Sequence, residues 1–448
     1  MNALNNQDSV FCPALFLTAP ASGQGKTTVT AALARMLKRQ GKVVRVFKTG
    51  PDYLDPQILA QASGEHVEQL DLWMAGENYC RYQFYQAAKE ADLIIVEGAM
   101  GMFDGNPSSA DLAATFNIPM AIVMDVKAMA QTAAIMAMGL ANHRSDVKVA
   151  GLIANSCSTE RHRQLIEEAL PESLPLLATL PKSESIALPE RHLGLVQASE
   201  MRDELEQRFE AGADWLVAAG LENILQRFGN VEFKPSQLPL LEAHLQGTTI
   251  AIAKDEAFSF IYQANLLVLQ KLGADLKFFS PLHDSLIPQA DALWLPGGYP
   301  ELHTKKLANN VSMLNSIKEF AAAEKPILAE CGGLLYCLES LTDLNNETYP
   351  MANILAGEGA MKGKRGCQGM QTAIFPEGEI RAHAHHRSRS FNMPEPLSYG
   401  RRQHHPAPGE AVYRDKNLNA SYLHLFFPSN PSVISCLFKP ELADGINK

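Results

Sequence analysis

The run Ala19-Pro20-Ala21-Ser22-Gly23-Gln24-Gly25-Lys26-Thr27-Thr28 has the residue types and spacing of a phosphate-binding loop, with Pro20 where the usual G-x-x-x-x-G-K-[ST] pattern opens on Gly. Such a loop turns successive backbone N–H groups toward phosphate oxygens at a helix N-terminus, where the macrodipole favours negative charge. Gly23, Gln24, Gly25, Lys26, Thr27 and Thr28 are therefore the candidate nucleotide contacts, with Lys26 reaching the terminal phosphates and Thr27 a Mg2+ ion. A Gly-rich turn before a helix is the plain alternative, but strand, Gly-Lys-Thr and helix stand here in the order a nucleotide loop needs. Two further strand ends carry acids: Asp52 within Phe47-Lys48-Thr49-Gly50-Pro51-Asp52-Tyr53-Leu54-Asp55-Pro56, and Glu97 at the head of Val96-Glu97-Gly98-Ala99-Met100-Gly101. Ligands of open α/β sheets gather at the carboxyl ends of strands, so both acids point toward the nucleotide, and hard carboxylate oxygens suit Mg2+. Each alone also serves as a turn former or helix cap. Asn155 ends a later strand of the same half, where its amide can read a nucleotide base.

A second chemistry sits in the other half. Lys325-Pro326-Ile327-Leu328-Ala329-Glu330 reads as a buried strand that breaks into Cys331-Gly332-Gly333 and then a helical run. A nucleophile on a tight strand-to-helix turn is held exposed, flanking glycines permit the strained backbone, and a helix N-terminus lowers the thiol pKa. The other six cysteines, Cys12, Cys80, Cys157, Cys337, Cys367 and Cys436, read as small buried hydrophobes. A nucleophilic thiol needs a base, and the candidates are His424, in the strand-like Ser421–Phe427, and the cluster His383, His385 and His386. The loop Leu295-Pro296-Gly297-Gly298-Tyr299-Pro300-Glu301 follows another strand, and the backbone N–H groups of Gly297 and Gly298 can join that of Gly332 as an oxyanion hole. The cluster Arg381–Arg387, with His404 and His405, lacks the Cys or carboxylate spacing of a metal site, and its arginines oppose a cation. Binding of an anionic substrate is its better functional reading, and a solvated loop its plain one.

These sites need rigid elements behind them. Leu15–Thr18, Val43–Phe47, Leu93–Val96, Met120–Met124 and Val149–Ala154 are continuous apolar runs, as in a parallel sheet covered on both faces. Between the first two, Val29, Ala32, Leu33, Met36 and Leu37 fall at helical spacing, and Gly41 marks the stop. Arg191–Arg227 reads as helix. Residues 229–247, with Gly229, Pro235, Pro239 and Gly247, read as a linker. The alternation then restarts at Thr249–Ala253, Asp275–Phe279, Ala292–Leu295, Pro326–Glu330 and Ser421–Phe427. The expected fold is α/β with two doubly wound domains: residues 1–228, a P-loop domain on a parallel sheet, and residues 248–448, a flavodoxin-like domain.

Composition agrees with this and excludes other classes. The 448 residues carry 39 Lys+Arg against 49 Asp+Glu, a net charge of −10, which disfavours binding to a nucleic-acid backbone. With 46% apolar and 20% charged residues the chain is globular rather than disordered. Seven cysteines without a C-x-x-C pair point to reduced thiols and a cytoplasmic setting. The N-terminus has no basic start or apolar signal core. The most apolar stretch, Pro119 to Ala141, is broken by Asp125, Lys127 and Gln131, so no membrane span is expected.

Taken together, Ala19–Thr28, Phe47–Pro56, Val96–Gly105, Met129-Ala130-Gln131-Thr132, Lys254–Phe260, Phe279–Asp284, Leu295–Glu301 and Glu330–Gly333 resemble the blocks of the cobyrinic acid a,c-diamide synthase family of cobalamin biosynthesis, over nearly the whole chain. Gly50-Pro51-Asp52 is the more diagnostic of these elements. The first half is similar to dethiobiotin-synthetase-like ATPases and the second to class I glutamine amidotransferases. The resemblance implies that Cys331 is the glutaminase nucleophile and His424 its base. It implies that Lys26, Lys48, Gly23 and Gly25 contact ATP phosphates, and that Thr27, Asp52 and Glu97 surround Mg2+. Position 426 is Phe where many class I amidotransferases carry an acid, so another group must orient His424, and the family's late histidine block appears here as Ala382-His383-Ala384-His385-His386.

The implied reaction uses ATP and glutamine to amidate the a and c carboxylates of a corrinoid, cobyrinic or hydrogenobyrinic acid, through acyl phosphates. A homodimer is compatible with the resemblance; nucleic acid and membrane are not implied. Three rivals remain: a diamide synthase for another tetrapyrrole such as a nickel-sirohydrochlorin, a partitioning-type P-loop ATPase with a degenerate amidotransferase domain, and a cysteine peptidase on the same elbow. The intact Glu-Cys-Gly-Gly turn with a late His argues against the second, and the third gives the phosphate loop no task.

Overall fold

In a computed structural model, the structure describes residues 8–191, 194–195, 201–361 and 368–443. The chain divides into two compact units, 1–238 and 239–448. No described helix is long and apolar enough to cross a membrane.

In the first unit seven parallel strands lie in the spatial order Glu68–Leu70, Val44–Thr49, Leu93–Glu97, Val10–Thr18, Met120–Asp125, Val149–Asn155 and Leu176–Leu180. The sheet is buried on both faces, and the first strand shows why its sequence is unbrokenly apolar. Leu15 and Leu17 pack into one core with Val29, Leu33 and Met36 of the helix Lys26–Arg39, whereas Ala14 and Phe16 pack into another with Phe47 and Phe84. The helix stops where Gly41, at φ 76°, lets its own N–H and that of Lys42 reach the carbonyls of Lys38 and Leu37. A cap of this kind needs a left-handed residue, which Gly adopts without strain.

The boundary differs in detail from the expected linker. Asn230–Phe233 forms a strand antiparallel to Val10–Pro13, because Val231 and Phe233 alternate inward onto the core that holds Cys12 and Phe16. The run Arg191–Arg227 is also broken. A two-residue strand ends at Arg191, the α-helix spans Arg202–Ala218, and a 3₁₀ turn spans Ile224–Arg227. Residues 192–193 and 196–200 of that expected helix lie outside the described residues.

In the second unit Asp275–Phe279, Thr249–Ala253, Ala292–Leu295, Ile327–Glu330 and Leu418–Ser421 are parallel. The sheet then continues in antiparallel fashion through Pro408–Asp415, Ser398–Arg402, Gln368–Phe375 and Gly378–His385. The second domain is thus doubly wound over its first five strands and mixed beyond them. The expected strand Ser421–Phe427 is two strands: Leu418–Ser421 on the parallel side and Leu423–Leu425 on Gly378–His385. The side chain of Ser421 accepts the Leu423 N–H at 3.1 Å, turning the chain from one pairing to the other.

Candidate functional site

The phosphate loop leaves the strand Val10–Thr18, whose neighbours are Leu93–Glu97 and Met120–Asp125. Gly23 and Gly25 stand at φ 77° and 90°, so the loop can curl its backbone into the helix that Lys26 begins. Gln24 ties the curl to a neighbouring strand end through a hydrogen bond from the Asp125 N–H to its Oε1 at 2.9 Å. The Asn155 amide donates to the Gln24 carbonyl at 3.0 Å and lies so close to Gly25 that a Cβ there would collide with it. In this arrangement Asn155 ties the loop to the end of the strand Val149–Asn155.

Lys26 is 7% exposed, and its ammonium donates to the carbonyls of Ala21 at 3.2 Å and Met100 at 2.7 Å. Burial, then the charge of Lys48, pushes its pKa down to about 8. Beside it lies a buried network with Lys48 at its centre. Lys48 Nζ meets Glu97 Oε1 and Asp55 Oδ2, each at 2.6 Å, and Asp52 Oδ2 at 3.8 Å. Burial opposes its charge, but Glu97, Asp55 and Asp52 more than offset this and hold the ammonium above the usual lysine range. Thr27 Oγ1 donates to Glu97 Oε1 at 2.8 Å and lies 3.4 Å from Asp55 Oδ2. Burial and the neighbouring Asp55 raise the Asp52 carboxyl to about 7. The structure therefore brings together Lys26, Thr27, Lys48, Asp52 and Glu97, and adds Asp55, which sequence reasoning missed. Its signal was present: Asp55 lies three residues after Asp52 in the same strand-end block, but which of the two carboxylates turns inward depends on the helix Asp55–Ser63.

The second site forms around the turn after Ile327–Glu330. Cys331 stands at φ 47°, a strained conformation for a residue with a Cβ, and opens the short helix Gly332–Cys337. Its N–H donates to the Ser421 carbonyl at 2.7 Å, so the turn is pinned to the strand that leads toward His424. His424 is 1% exposed and sits opposite His383 in the antiparallel pair of Leu423–Leu425 with Gly378–His385. Its imidazole presses on Gly297, where a Cβ would collide with it. Gly332 in turn lies against Gly298: a Cβ on Gly332 would stand 2.9 Å from the Gly298 nitrogen and from Pro300 Cδ. The three glycines expected at an oxyanion hole thus converge on one spot beside Cys331 and His424, and only glycine fits there.

Glu330 joins the two halves of this site. Its Oε1 accepts the Leu425 N–H at 2.8 Å and its Oε2 the Trp294 Nε1–H at 3.0 Å, and burial raises its carboxyl to about 8. Burial, then His383, His386 and His385, pushes His424 well below the usual histidine range. A neutral imidazole is the form that can accept a proton. His386 pairs with Glu410 at 3.0 Å and stacks on Tyr422.

One expectation about the thiol is corrected. A helix N-terminus was expected to lower the Cys331 pKa, yet burial, followed by the charge of Glu301, raises it, and the Gly332 N–H offsets only part of this. The helix beneath it is six residues long, so its dipole is slight beside a buried carboxylate. Cys12, Cys80, Cys157, Cys337 and Cys436 are buried free thiols; Cys367 lies outside the described residues.

Comparison with known proteins gives a family match for each half of the chain and relatives along nearly all of it. Residues 15–196 match the family described as the CobQ/CobB/MinD/ParA nucleotide binding domain, and residues 249–432 the CobB/CobQ-like glutamine amidotransferase domain. A hydrogenobyrinate a,c-diamide synthase of Stutzerimonas stutzeri is 48% identical, the match covering 96% of this chain and 99% of that one. One from Pseudomonas aeruginosa is 47% identical over 96% and 98%, and a cobyrinate a,c-diamide synthase of Herminiimonas arsenicoxydans is 44% identical over 96% and 97%. Among solved structures, a glutamine amidotransferase covers 44% of this chain at 16% identity and a TM-score of 0.32, too slight a likeness to carry an argument.

Proposed function

The chain belongs to the cobyrinate and hydrogenobyrinate a,c-diamide synthase family, and from that premise we propose that it uses ATP and glutamine to convert the a and c carboxylates of a corrinoid acid into carboxamides. It is a glutamine-dependent amide-forming ligase of cobalamin biosynthesis. The observation that carries the finer reading is the pairing, in one chain, of a phosphate loop backed by Lys26 and Lys48 with a strained Cys331 turn backed by His424.

A carboxylate does not react with an amine, because its carbonyl carbon is electron-rich and its leaving group poor. In the proposed first step a substrate carboxylate oxygen attacks the ATP γ-phosphorus, the bond to ADP breaks, and an acyl phosphate forms. Lys26 and the N–H groups of Gly23–Thr28 would neutralise charge on the transferring group. Lys48 would fix Glu97 and Asp55 beneath it. The residues present fit a Mg2+ ion. Glu97 is 0% exposed, and its Oε2 has no hydrogen-bond partner, an orphaned acceptor of the hard type this cation takes. Thr27, Asp52, Asp55 and Glu97 would hold it, and when bound it supplies countercharge to the phosphates.

In the second site Cys331 Sγ attacks the glutamine side-chain amide carbon while His424 takes the thiol proton. The C–N bond then breaks, the proton leaves with the nitrogen as neutral NH3, and a thioester remains. The amide N–H groups of Gly298 and Gly332 would receive the oxyanion, and water hydrolyses the thioester to glutamate. Ammonia displaces phosphate from the acyl phosphate and gives the carboxamide. Bulk ammonium cannot do this at neutral pH, which is why a glutaminase is needed.

The test is incubation with ATP, glutamine and a panel of tetrapyrrole acids, read by mass spectrometry. Two successive replacements of OH by NH2 on hydrogenobyrinic or cobyrinic acid, with matching ADP and glutamate, are expected. Amidation of a sirohydrochlorin alone, or nucleotide hydrolysis without amidation, would overturn the reading.

A further inference from the structure

Beside the strained Cys331 turn lies a buried acid with no assigned task. Glu301 lies on the 3₁₀ turn Pro300–Leu302, directly after the residue whose ring touches Gly332. It is 7% exposed, and among the described residues no Lys, Arg or His pairs with it; the donor it meets is its own backbone N–H. The other acids near Cys331 are occupied: Glu330 accepts two N–H groups, and Glu410 is paired with His386. Removing a carboxylate from water costs several kcal/mol unless a cation or several donors replace the solvent. A site that keeps such a group beside its nucleophile is built for a partner that arrives with positive charge.

We propose that Glu301 receives the α-ammonium group of the glutamine substrate. This rests on the reading of Cys331 as a glutaminase nucleophile. The reacting amide of glutamine is neutral and is shared with every glutamine in a polypeptide, so selection of the free amino acid must come from its charged end. Of the two charges there, only the ammonium complements a carboxylate. The same contact has a consequence for chemistry. Glu301 is the largest charge opposing ionisation of Cys331, and an ammonium seated on it cancels that field when the substrate is in place. The thiol is thereby kept unreactive until glutamine is bound.

The test uses the full chain with Glu301→Gln, which keeps shape and removes charge. The expected result is a rise of about 10- to 100-fold in KM for glutamine, the loss typical of a hydrogen bond between charged groups, with ammonium-dependent amidation unchanged. Native protein should discriminate against glutaramic acid, which has the amide and carboxylate but no amine, and the variant should lose most of that preference. Glu301→Asp should recover part of it. Alkylation of Cys331 by iodoacetamide gives a readout that a merely structural role would not move. Without ligand its pH midpoint should fall in Glu301→Gln, while Glu330, Glu410, Tyr422 and His424, the other titratable groups around the thiol, are unchanged. An unchanged KM and unchanged discrimination in a variant that still alkylates at Cys331 would overturn the proposal. Absence of glutaminase activity in the native protein would instead sink the reading it rests on.

Discussion

The carboxylate of Glu330 accepts the backbone N–H of Leu425 at 2.8 Å, and these two residues are the immediate chain neighbours of Cys331 and His424. One side chain therefore ties the segment of Cys331, the proposed nucleophile, to that of His424, its proposed base, across 95 residues of sequence. No acid stands at position 426 to orient the imidazole; here the strand that carries His424 is fixed through its backbone instead.

Removal of Glu330 should separate these two functions. Glu330→Ala leaves the Leu425 N–H and the Trp294 indole N–H buried without acceptors, at about 1–3 kcal/mol each. Thermal unfolding of the second unit should shift down, and glutamine hydrolysis should fall more than ammonium-dependent amidation.

Glu330 also gives the second unit a pH dependence of known sign. Its carboxyl is raised from 4.5 to about 8, so between those values the folded chain holds a proton that the unfolded chain has released. The contribution is complete below pH 4.5 and is lost as pH rises through about 8. Denaturant unfolding of native and Glu330→Gln protein at several pH values should show a difference that shrinks as pH rises through this window.

Among the described residues, Lys48 is the cation that forms ion pairs with Asp52, Asp55 and Glu97. Lys48→Met leaves the buried Glu97 and the part-buried Asp55 without it, a loss of about 3–5 kcal/mol. The double variant Lys48→Met/Glu97→Gln should be more stable than the single one by thermal melting, although neither should turn over ATP. A single variant as stable as native protein would contradict the network.

Nucleotide binding should draw a proton onto Lys26. Burial and Lys48 lower this lysine to about 8, whereas phosphate oxygens favour its charged form, so binding near or above that pH takes up protons. Titration calorimetry in buffers of different ionisation enthalpy should report uptake at pH 8.5 and little at pH 6.5, with affinity falling as pH rises.

Much of this molecule is legible from sequence because the signals are local. The loop at Gly23–Thr28, the periodic Val29–Leu37 helix with its Gly41 stop and the apolar parallel strands each declare themselves within a dozen residues. The Cys331 turn does so too, since the glycines that allow φ 47° are its neighbours. What escapes depends on partners distant in sequence. Asp55 differs from Asp52 only in what it meets after folding, Glu330 is an ordinary acid until Leu425 arrives, and the rise in the Cys331 pKa comes first from burial in the folded unit and then from Glu301, thirty residues earlier. Asn230–Phe233 was hidden for a similar reason: a four-residue edge strand among Gly and Pro has too short a pattern to separate from a linker.

Nitrogen source is the most direct probe of the account. Cys331→Ser protein, given ATP and a corrinoid acid, should form no carboxamide with glutamine and should form it at near-native rates with added ammonium at alkaline pH. Glutamine-dependent amidation that survives the substitution, or ammonium-dependent amidation that disappears with it in a folded protein, would contradict the account.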